Sequence, residues 1–357
     1  MHKDDQMTPM ERAAALAKGE AVDRYPISMF YGSSAHALLG WTRQKESADG
    51  RSIAEVQKKV YETFGCDGVS TSYGLHGMAV TFGAKMSDDP HLPPSILEHP
   101  IKDISDLSML NLEKVTVKTD SRAKKCYEAV HILRDELGHE VGCGMGLTGA
   151  FTSASSLVGP QKFLKALINN SEQAHKLLEF TTEAVLQLAE PFVREGYNLM
   201  IADPMASGTI LSKKHFREFV LPYSRRIVEG CRSFAPISVS VHICGNTTQI
   251  LEDIVECGYG TISLDNKVDL AVAKERIGSQ IRLMGNVDPV EVMYYGTTDM
   301  VKAAVKACCR KAWDNPKGYT ISTGCDTVYG MPIENAYAFM DEARKCIRYP
   351  MAPENFL

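Results

Sequence analysis

The sequence lacks the features that mark membrane-spanning, secreted or nucleic-acid-binding proteins. No uninterrupted apolar run approaches the roughly 20 residues that a membrane-spanning helix needs. The first six residues, Met-His-Lys-Asp-Asp-Gln, are polar and show no apolar core of a secretory signal. The net charge of −5 provides no excess of cations for a nucleic acid or an anionic membrane surface. These absences predict a cytoplasmic protein without a nucleic-acid or membrane partner.

The sequence also lacks a linker rich in glycine, serine or proline, so residues 1–357 are interpreted as a single domain. Short apolar runs alternate with helical stretches, which is typical of the α/β class with a parallel sheet. We expect one (β/α)8 TIM barrel with an N-terminal helical extension. That first helix begins at a capping box of Thr8 and Glu11 and ends at Gly19. The eight predicted strands are 25–30, 68–73, 140–146, 198–204, 237–244, 260–265, 282–288 and 319–326.

Three segments between these elements are predicted to be irregular. Small residues dominate Gly32–Ala35 and Gly146–Ala154, and both are interpreted as loops that follow strands. The segment 74–120 contains four prolines, Pro90, Pro93, Pro94 and Pro100. It is predicted to be an ordered excursion over the barrel mouth, because it is long and has enough apolar residues to pack.

The fifth predicted strand carries a histidine and a cysteine on one face. His242 and Cys244 alternate with Val241 and Ile243, and successive strand side chains point to opposite faces of a sheet. The imidazole and the thiol therefore lie one pleat apart, at the carboxyl end of the strand. This arrangement is typical of two ligands of one soft metal ion. The alternative is a hydrogen-bonded histidine beside a cysteine that packs as a small apolar group.

Cys325, at the end of the eighth predicted strand, is a third candidate ligand. The carboxyl ends of barrel strands converge at one mouth, where catalytic residues lie. One imidazole nitrogen and two thiolates, with a fourth position open, form a known catalytic zinc set, and thiolates select zinc over magnesium or calcium. We therefore predict that His242, Cys244 and Cys325 bind Zn²⁺. The other eight cysteines are interpreted as reduced packing residues, since the chain shows no secretory signal.

Polar residues end several other predicted strands. Asp203 and Asp265 are expected to point into the mouth and are candidate catalytic residues; Asp265 is also a candidate fourth metal ligand. Structural roles remain open for both, because aspartate before proline forms turns and aspartate at a strand end caps the next helix. Capping is the favoured role for Asp288. Three further residues are candidates for substrate binding: Tyr73, Ser207 and Asn286.

Motifs at the strand ends and near the N-terminus carry a family resemblance. They are His242–Asn246 (HICGN), Gly285–Pro289 (GNVDP), Ser322–Asp326 (STGCD), Ile201–Pro204 (IADP), Leu221–Tyr223 (LPY), Glu11–Arg12 and Asp23–Pro26 (DRYP). Together they resemble the cobamide:coenzyme M methyltransferases, the zinc-dependent branch of the uroporphyrinogen decarboxylase superfamily. The resemblance covers essentially the whole chain. It implies a barrel, a zinc held by H-x-C…C, and a small thiol such as coenzyme M that accepts a methyl group from a corrinoid.

Two segments depart from these families. The arginine-rich N-terminal segment of uroporphyrinogen decarboxylases has no counterpart, because Met29–His36 stands in its place. The segment Tyr73–Ala79 lacks the acidic residue expected in the coenzyme M enzymes. Coenzyme M, homocysteine and simpler thiols therefore all remain candidate acceptors.

The resemblance implies that a zinc-bound thiolate attacks a methyl group carried on cobalt, with a methylcobalamin-type corrinoid as co-substrate. We expect this corrinoid on a separate carrier protein, because the chain lacks the corrinoid-binding pattern D-x-H-x-x-G. Small side chains in Gly32–Ala35 and Gly146–Ala154 would let a flat macrocycle approach, although ordinary tight turns explain them equally well. The alternatives are a decarboxylase of a porphyrinogen or another acid, the upstream enzyme that methylates the corrinoid, and a zinc-stabilised scaffold.

Overall fold

The computed structural model describes residues 2–89 and 94–356, so Pro90 and Pro93 of the predicted excursion lie outside the described residues. The α-helices are α1 Pro9–Lys18, α2 Arg43–Glu46, α3 Gly50–Phe64, α4 Gly77–Thr81, α5 Ser121–Leu137, α6 Ala150–Val158, α7 Pro160–Asn169, α8 Ser171–Arg194, α9 Lys213–Phe219, α10 Leu221–Phe234, α11 Leu251–Glu256, α12 Leu270–Ile277, α13 Thr298–Ala312 and α14 Ile333–Cys346. Short 3₁₀ helices cover Ala35–Leu39, Leu112–Lys114, Pro204–Ala206, Thr248–Ile250 and Pro353–Phe356. The strands are β1 Val69–Ser72, β2 Lys85–Met86, β3 Ile96–Glu98, β4 Cys143–Thr148, β5 Asn198–Ala202, β6 Ser240–Ile243, β7 Thr261–Leu264, β8 Arg282–Met284 and β9 Tyr319–Thr320.

Seven of these strands form one sheet in the order β1, β4, β5, β6, β7, β8, β9. Each of these strands is followed by helical segments before the next one, which is the alternation of a (β/α)8 barrel and confirms the predicted fold class. Strands β2 and β3 form a separate antiparallel pair within the predicted excursion. Among the described residues, no helix is both long and apolar enough to cross a membrane.

The first predicted strand, 25–30, pairs less regularly than the others. Ile27 forms an isolated parallel bridge with Ile321, and the Ser28 N–H donates to the Ile321 carbonyl at 3.0 Å. The next backbone donor in register, Phe30 N–H, bonds instead to the Thr323 hydroxyl at 3.1 Å. Pro26 has no N–H to offer. The segment is therefore extended and hydrogen-bonded, but too few ladder bonds form for a regular strand.

The chain comprises two compact units. The first contains the chain up to Ser70, Ala129–Cys143 and the chain from Thr261 onward; the second contains Thr71–Glu128 and Gly144–Gly260. In the first unit, β7, β8 and β9 are parallel neighbours. In the second, β4, β5 and β6 are parallel neighbours. The single-domain interpretation of residues 1–357 stays a prediction.

The N-terminal helix α1 has the predicted ends. The Thr8 hydroxyl accepts from the Glu11 N–H, the Glu11 carboxylate accepts from the Thr8 N–H at 2.8 Å, and Gly19 closes the helix with φ of 73°. Arg12 and Arg24, which belong to the N-terminal motifs Glu11–Arg12 and Asp23–Pro26, lie in a buried ionic cluster. Arg12 Nε donates to Asp23 Oδ1, and Arg24 Nε to an oxygen of Asp5, each at 2.8 Å. These N-terminal arginines therefore serve the packing of the first unit.

The prediction that Gly146–Ala154 forms a loop is wrong. Strand β4 continues to Thr148, and α6 begins at Ala150 and is buried over its whole length. A Cβ on Gly149 would lie 2.1 Å from a carboxylate oxygen of Asp203, so the chain needs glycine at this close approach. Small residues indicated a loop, but here they allow a helix to pack tightly in the interior.

Candidate metal centre

The end of β6 brings the first two predicted ligands together. His242 is 8% exposed and Cys244 is partly exposed, while Val241 and Ile243 are buried. His242 Nε2 and Cys244 Sγ lie 3.2 Å apart. The two side chains therefore meet, as the alternation of strand side chains predicts.

A tight turn ends the strand just beyond Cys244. Gly245 has φ of 77°, a left-handed conformation that favours glycine. A Cβ at this position would lie 2.7 Å from both the Ser207 and Thr209 hydroxyl oxygens. The Thr209 hydroxyl also accepts from the Asn246 N–H at 2.9 Å. The segment after β5 therefore holds the turn that follows the two ligands.

Cys325 lies beyond the last strand, in an irregular segment of the first unit. The preceding residue, Gly324, donates its N–H to the Val287 carbonyl at 2.7 Å, and Val287 forms a parallel bridge with Thr323. A Cβ on Gly324 would lie 2.6 Å from the backbone nitrogen of Asn266. This segment is therefore packed closely against its neighbours although it has no regular strand structure.

His242, Cys244 and Cys325 form the one cluster of three or more potential metal ligands among the described residues. One ligand atom from each side chain lies within 4.8 Å of the others. In a tetrahedral zinc site, bond lengths of about 2.1 and 2.3 Å place a ligand nitrogen about 3.6 Å from a ligand sulfur, and two sulfurs about 3.8 Å apart. The three ligand atoms are thus close enough together to hold one metal ion, and one imidazole with two thiols is a donor set that suits zinc.

Asp203 is buried, with 2% of its surface exposed, and contacts the start of α6. One carboxylate oxygen accepts from the Thr152 N–H at 2.8 Å and from the Thr152 hydroxyl at 2.5 Å. Burial raises the pKa of this carboxyl to about 6 against the opposing effect of these hydrogen bonds. The Asp203 N–H donates to the His242 carbonyl at 2.9 Å. Asp203 therefore links α6 to the strand that carries His242; its catalytic role stays a prediction.

Asp265 and Asn286 shape the segment after β7. Asp265 Oδ1 accepts from the Lys267 N–H at 2.9 Å. The Asn286 amide donates to the carbonyls of Asp265 and Val268 at 2.9 and 2.7 Å. Asp288 was predicted to cap a helix, and its carboxylate accepts from the N–H groups of Val290 and Glu291. Residues 289–294 form turns, however, and the next helix, α13, begins at Thr298, so Asp288 stabilises a turn. The roles of Asp265 at the metal and of Asn286 at the substrate stay predictions.

The other two predicted substrate residues also have protein partners. Tyr73 is 1% exposed, and its hydroxyl donates to Asp120 at 2.7 Å. Burial, with the nearby Asp120 carboxylate, raises the pKa of Tyr73 above its ordinary value. The Ser207 hydroxyl accepts from the Thr209 N–H at 3.1 Å. These contacts leave the two binding roles as predictions.

Comparison with known protein families assigns this chain to one of them. The profile of the uroporphyrinogen decarboxylase (URO-D) family matches residues 8–346, nearly the whole length. The chain belongs to the URO-D family. The match extends from α1 to the end of α14, so the N-terminal helix is part of the family's common sequence.

Relatives of this URO-D chain carry two different activities in their names. A methylcobamide:CoM methyltransferase of Methanosarcina mazei is 28% identical over 355 residues, which covers 96% of this chain and 99% of the relative. Uroporphyrinogen decarboxylase 2 of Arabidopsis thaliana, a chloroplastic protein, is 26% identical over 353 residues, covering 93% and 85%. The solved structure of a methyltransferase from Methanosarcina mazei has a TM-score of 0.81 and 26% identity, covering 95% of this chain and 98% of that one. The methyltransferase is matched over 99% of its length and the Arabidopsis decarboxylase over 85%, and the matching solved structure is also a methyltransferase. The decarboxylases are therefore the more distant likeness.

The sequence analysis missed several residues that support the segments carrying the predicted site residues. Thr152, Thr209 and Ser33 each bond to a residue in or beside a predicted strand end, and each partner is far along the chain. A threonine or serine that makes such a bond carries no local signal, since these residues are common in turns and helix caps. Only the folded structure identifies them.

Proposed function

We propose that this protein transfers a methyl group from a methylated corrinoid to a small thiol at a zinc ion held by His242, Cys244 and Cys325. The cluster of these three side chains is the observation that carries the proposal. A decarboxylase of this family needs no metal. Decarboxylation therefore would not explain why an imidazole and two thiols lie close together. The relatives named as methylcobamide:CoM methyltransferases support the corrinoid donor and the thiol acceptor.

The protein side chains account for the reactivity of the acceptor. Zinc held by these three side chains would supply a positive charge that lowers the pKa of the acceptor thiol, so that this thiol would bind as a thiolate. Cys244 and Cys325 contribute two negative charges, which offset the charge of the ion and keep the acceptor sulfur electron-rich. Three protein ligands leave one position for that sulfur. The acceptor thiolate forms the new S–CH₃ bond, the Co–CH₃ bond breaks, and the electron pair remains on cobalt as Co(I).

The donor is expected on a separate corrinoid carrier protein, and the reaction is expected in the cytoplasm. No cysteine among the described residues forms a disulfide bond, as expected in a reducing compartment. Asp265 is retained as a candidate fourth ligand that an acceptor thiol would displace. The acceptor itself stays open among coenzyme M, homocysteine and simpler thiols.

An anaerobic assay tests the proposal. Wild-type protein, methylcobalamin and a panel of these thiols are mixed, and the conversion of the methyl-Co(III) spectrum to Co(I) is followed. We expect zinc-dependent demethylation with at least one thiol, its loss in Cys244→Ser, and its retention in Cys308→Ser. Failure with every thiol, together with carbon dioxide release from a carboxylated substrate, would establish the decarboxylase instead. Methylation of Co(I) corrinoid by an O- or N-methyl donor would establish the upstream enzyme.

A further inference from the structure

The residue after Cys325 binds the segment that follows the first predicted strand. Asp326 Oδ1 accepts from the Gly32 N–H at 2.8 Å and from the Ser33 N–H at 3.4 Å. Asp326 Oδ2 accepts from the Ser33 hydroxyl at 2.6 Å. One carboxylate therefore satisfies three donors of two consecutive residues.

Further bonds join the same two segments. The Thr327 N–H donates to the Phe30 carbonyl at 2.9 Å, and the Gly330 N–H donates to the Ser34 hydroxyl at 3.1 Å. The Ser34 hydroxyl in turn donates to the Val328 carbonyl at 3.2 Å. The chain on the carboxyl side of Cys325 is thus attached to residues 30–34 by several hydrogen bonds, of which those to Asp326 lie nearest to the cysteine.

Cys325 needs such support more than Cys244 does. Cys244 directly follows β6, whose parallel neighbour β5 fixes its position. Strand β9 ends at Thr320, five residues before Cys325. On the amino side, the Gly324 N–H bond to the Val287 carbonyl holds the chain. On the carboxyl side, the Asp326 carboxylate completes the attachment, so Cys325 lies between two fixed points.

We infer that Asp326 is a positioning residue for Cys325, acting through its bonds to Gly32 and Ser33. The inference rests on the proposed metal site and adds a residue outside its three proposed ligands. A metal ligand must be held within a few tenths of an ångström of its position, and partners that orient ligands typically change metal affinity by about 10- to 100-fold when they are removed. Asp326 acts on the main chain beside the ligand, so its loss shifts the Cys325 sulfur.

The test compares zinc affinity in matched variants, measured by competition with a chromophoric chelator on full-length protein. Asp326→Ala removes all three bonds, and Ser33→Ala removes only the hydroxyl bond. Asp269→Ala is the control, because Asp269 is also an exposed aspartate that accepts from two backbone N–H groups, here those of Ala271 and Val272 at the start of α12. We expect an increase in the zinc Kd of about 10- to 100-fold for Asp326→Ala. Ser33→Ala should raise it less, and Asp269→Ala should leave it within twofold.

A second readout separates positioning from general stability. In zinc-loaded protein, we expect iodoacetamide to modify Cys325 faster in Asp326→Ala than in wild type, with Cys244 changing less, and the conservative variant Asp326→Asn should restore part of the protection. An unchanged zinc Kd in Asp326→Ala would overturn the inference while wild-type zinc binding still supported the proposed function. If Asp326→Ala does not fold, Ser33→Ala provides the test. A zinc Kd of Ser33→Ala equal to that of wild type would then overturn the inference. Wild-type protein that binds no zinc, or full zinc in Cys325→Ser, would instead contradict the proposed metal site.

Discussion

The ten cysteines of this chain occupy two different environments. Cys244 and Cys325 are partly exposed and lie in a cluster with His242. Seven others are buried, and Cys308 is partly exposed. Burial raises the pKa of Cys231 to about 12, so that thiol stays protonated at neutral pH. The same residue type therefore serves as a candidate metal ligand in one environment and as an unreactive packing group in the other.

The difference follows from backbone position. Cys231 lies on the buried face of α10 and is fully enclosed. Cys257 follows α11, and its thiol donates to the Asp253 carbonyl at 3.3 Å. Cys244 instead directly follows β6, and Cys325 lies in an irregular segment five residues after β9; both side chains are partly exposed. A reactive or metal-binding thiol is therefore distinguished from a structural one by its accessibility and by a neighbouring ligand, and the number of cysteines in the chain does not distinguish them.

The largest effect is expected when the two groups are compared by metal content. Cys244→Ser and Cys325→Ser should each lose most of their zinc, because a hydroxyl is a poor replacement for a thiolate ligand. Cys308→Ser, which changes a partly exposed cysteine outside the cluster, should retain about one zinc per chain. Elemental analysis of the purified proteins measures this. Full zinc in both ligand variants would place the metal elsewhere.

Thiol reactivity should separate the groups next. After a chelator removes zinc, Cys244 and Cys325 should react with iodoacetamide about 100-fold faster than Cys231, because a buried thiol reacts only when the structure opens. Peptide mapping by mass spectrometry gives the rate at each position. Added zinc should protect the first two residues and leave Cys231 unaffected. Equal rates at all three positions would show that the environments do not differ in solution.

A smaller effect should appear in stability. Cys231→Ala removes a fully buried sulfur and should lower the free energy of unfolding at pH 7 by about 1–2 kcal/mol. Its zinc content should equal that of wild type. Chemical denaturation measures the first quantity and elemental analysis the second. Loss of zinc in this variant would remove the distinction between the two groups.

The smallest effect concerns pH. The pKa of Cys231 is about 12 in the folded protein and about 9 in an ordinary thiol, so above pH 9 the unfolded chain loses this proton first. In this range the folded protein keeps the Cys231 proton and the unfolded chain has lost it. The stability of the wild type therefore falls as the pH rises through this range. Cys231→Ala lacks this contribution. The stability difference between the variant and wild type should therefore shrink by about 1.4 kcal/mol between pH 7 and pH 10. A difference that stays constant would mean that the thiol ionises equally in both states.

Periodic patterns and capping residues predicted most of the fold. The helix predicted to end at Gly19 does so as α1, with Gly19 at φ of 73°, because glycine adopts the left-handed conformation that closes a helix. The segment Gly146–Ala154 was predicted wrongly because small polar residues suit both loops and tightly packed helices. The irregular pairing at 25–30 was missed because it depends on the Thr323 hydroxyl, far along the chain.

The sequence by itself determined that His242 and Cys244 share a face, because strand side chains alternate with a period of two residues whatever surrounds them. It also determined the start of α1, since a capping box acts between neighbours in the chain. Only the tertiary structure decided that Cys325 meets these two ligands and that Asp326 bonds to Gly32 and Ser33. Contacts between distant segments depend on how the whole chain packs, and no local pattern records them.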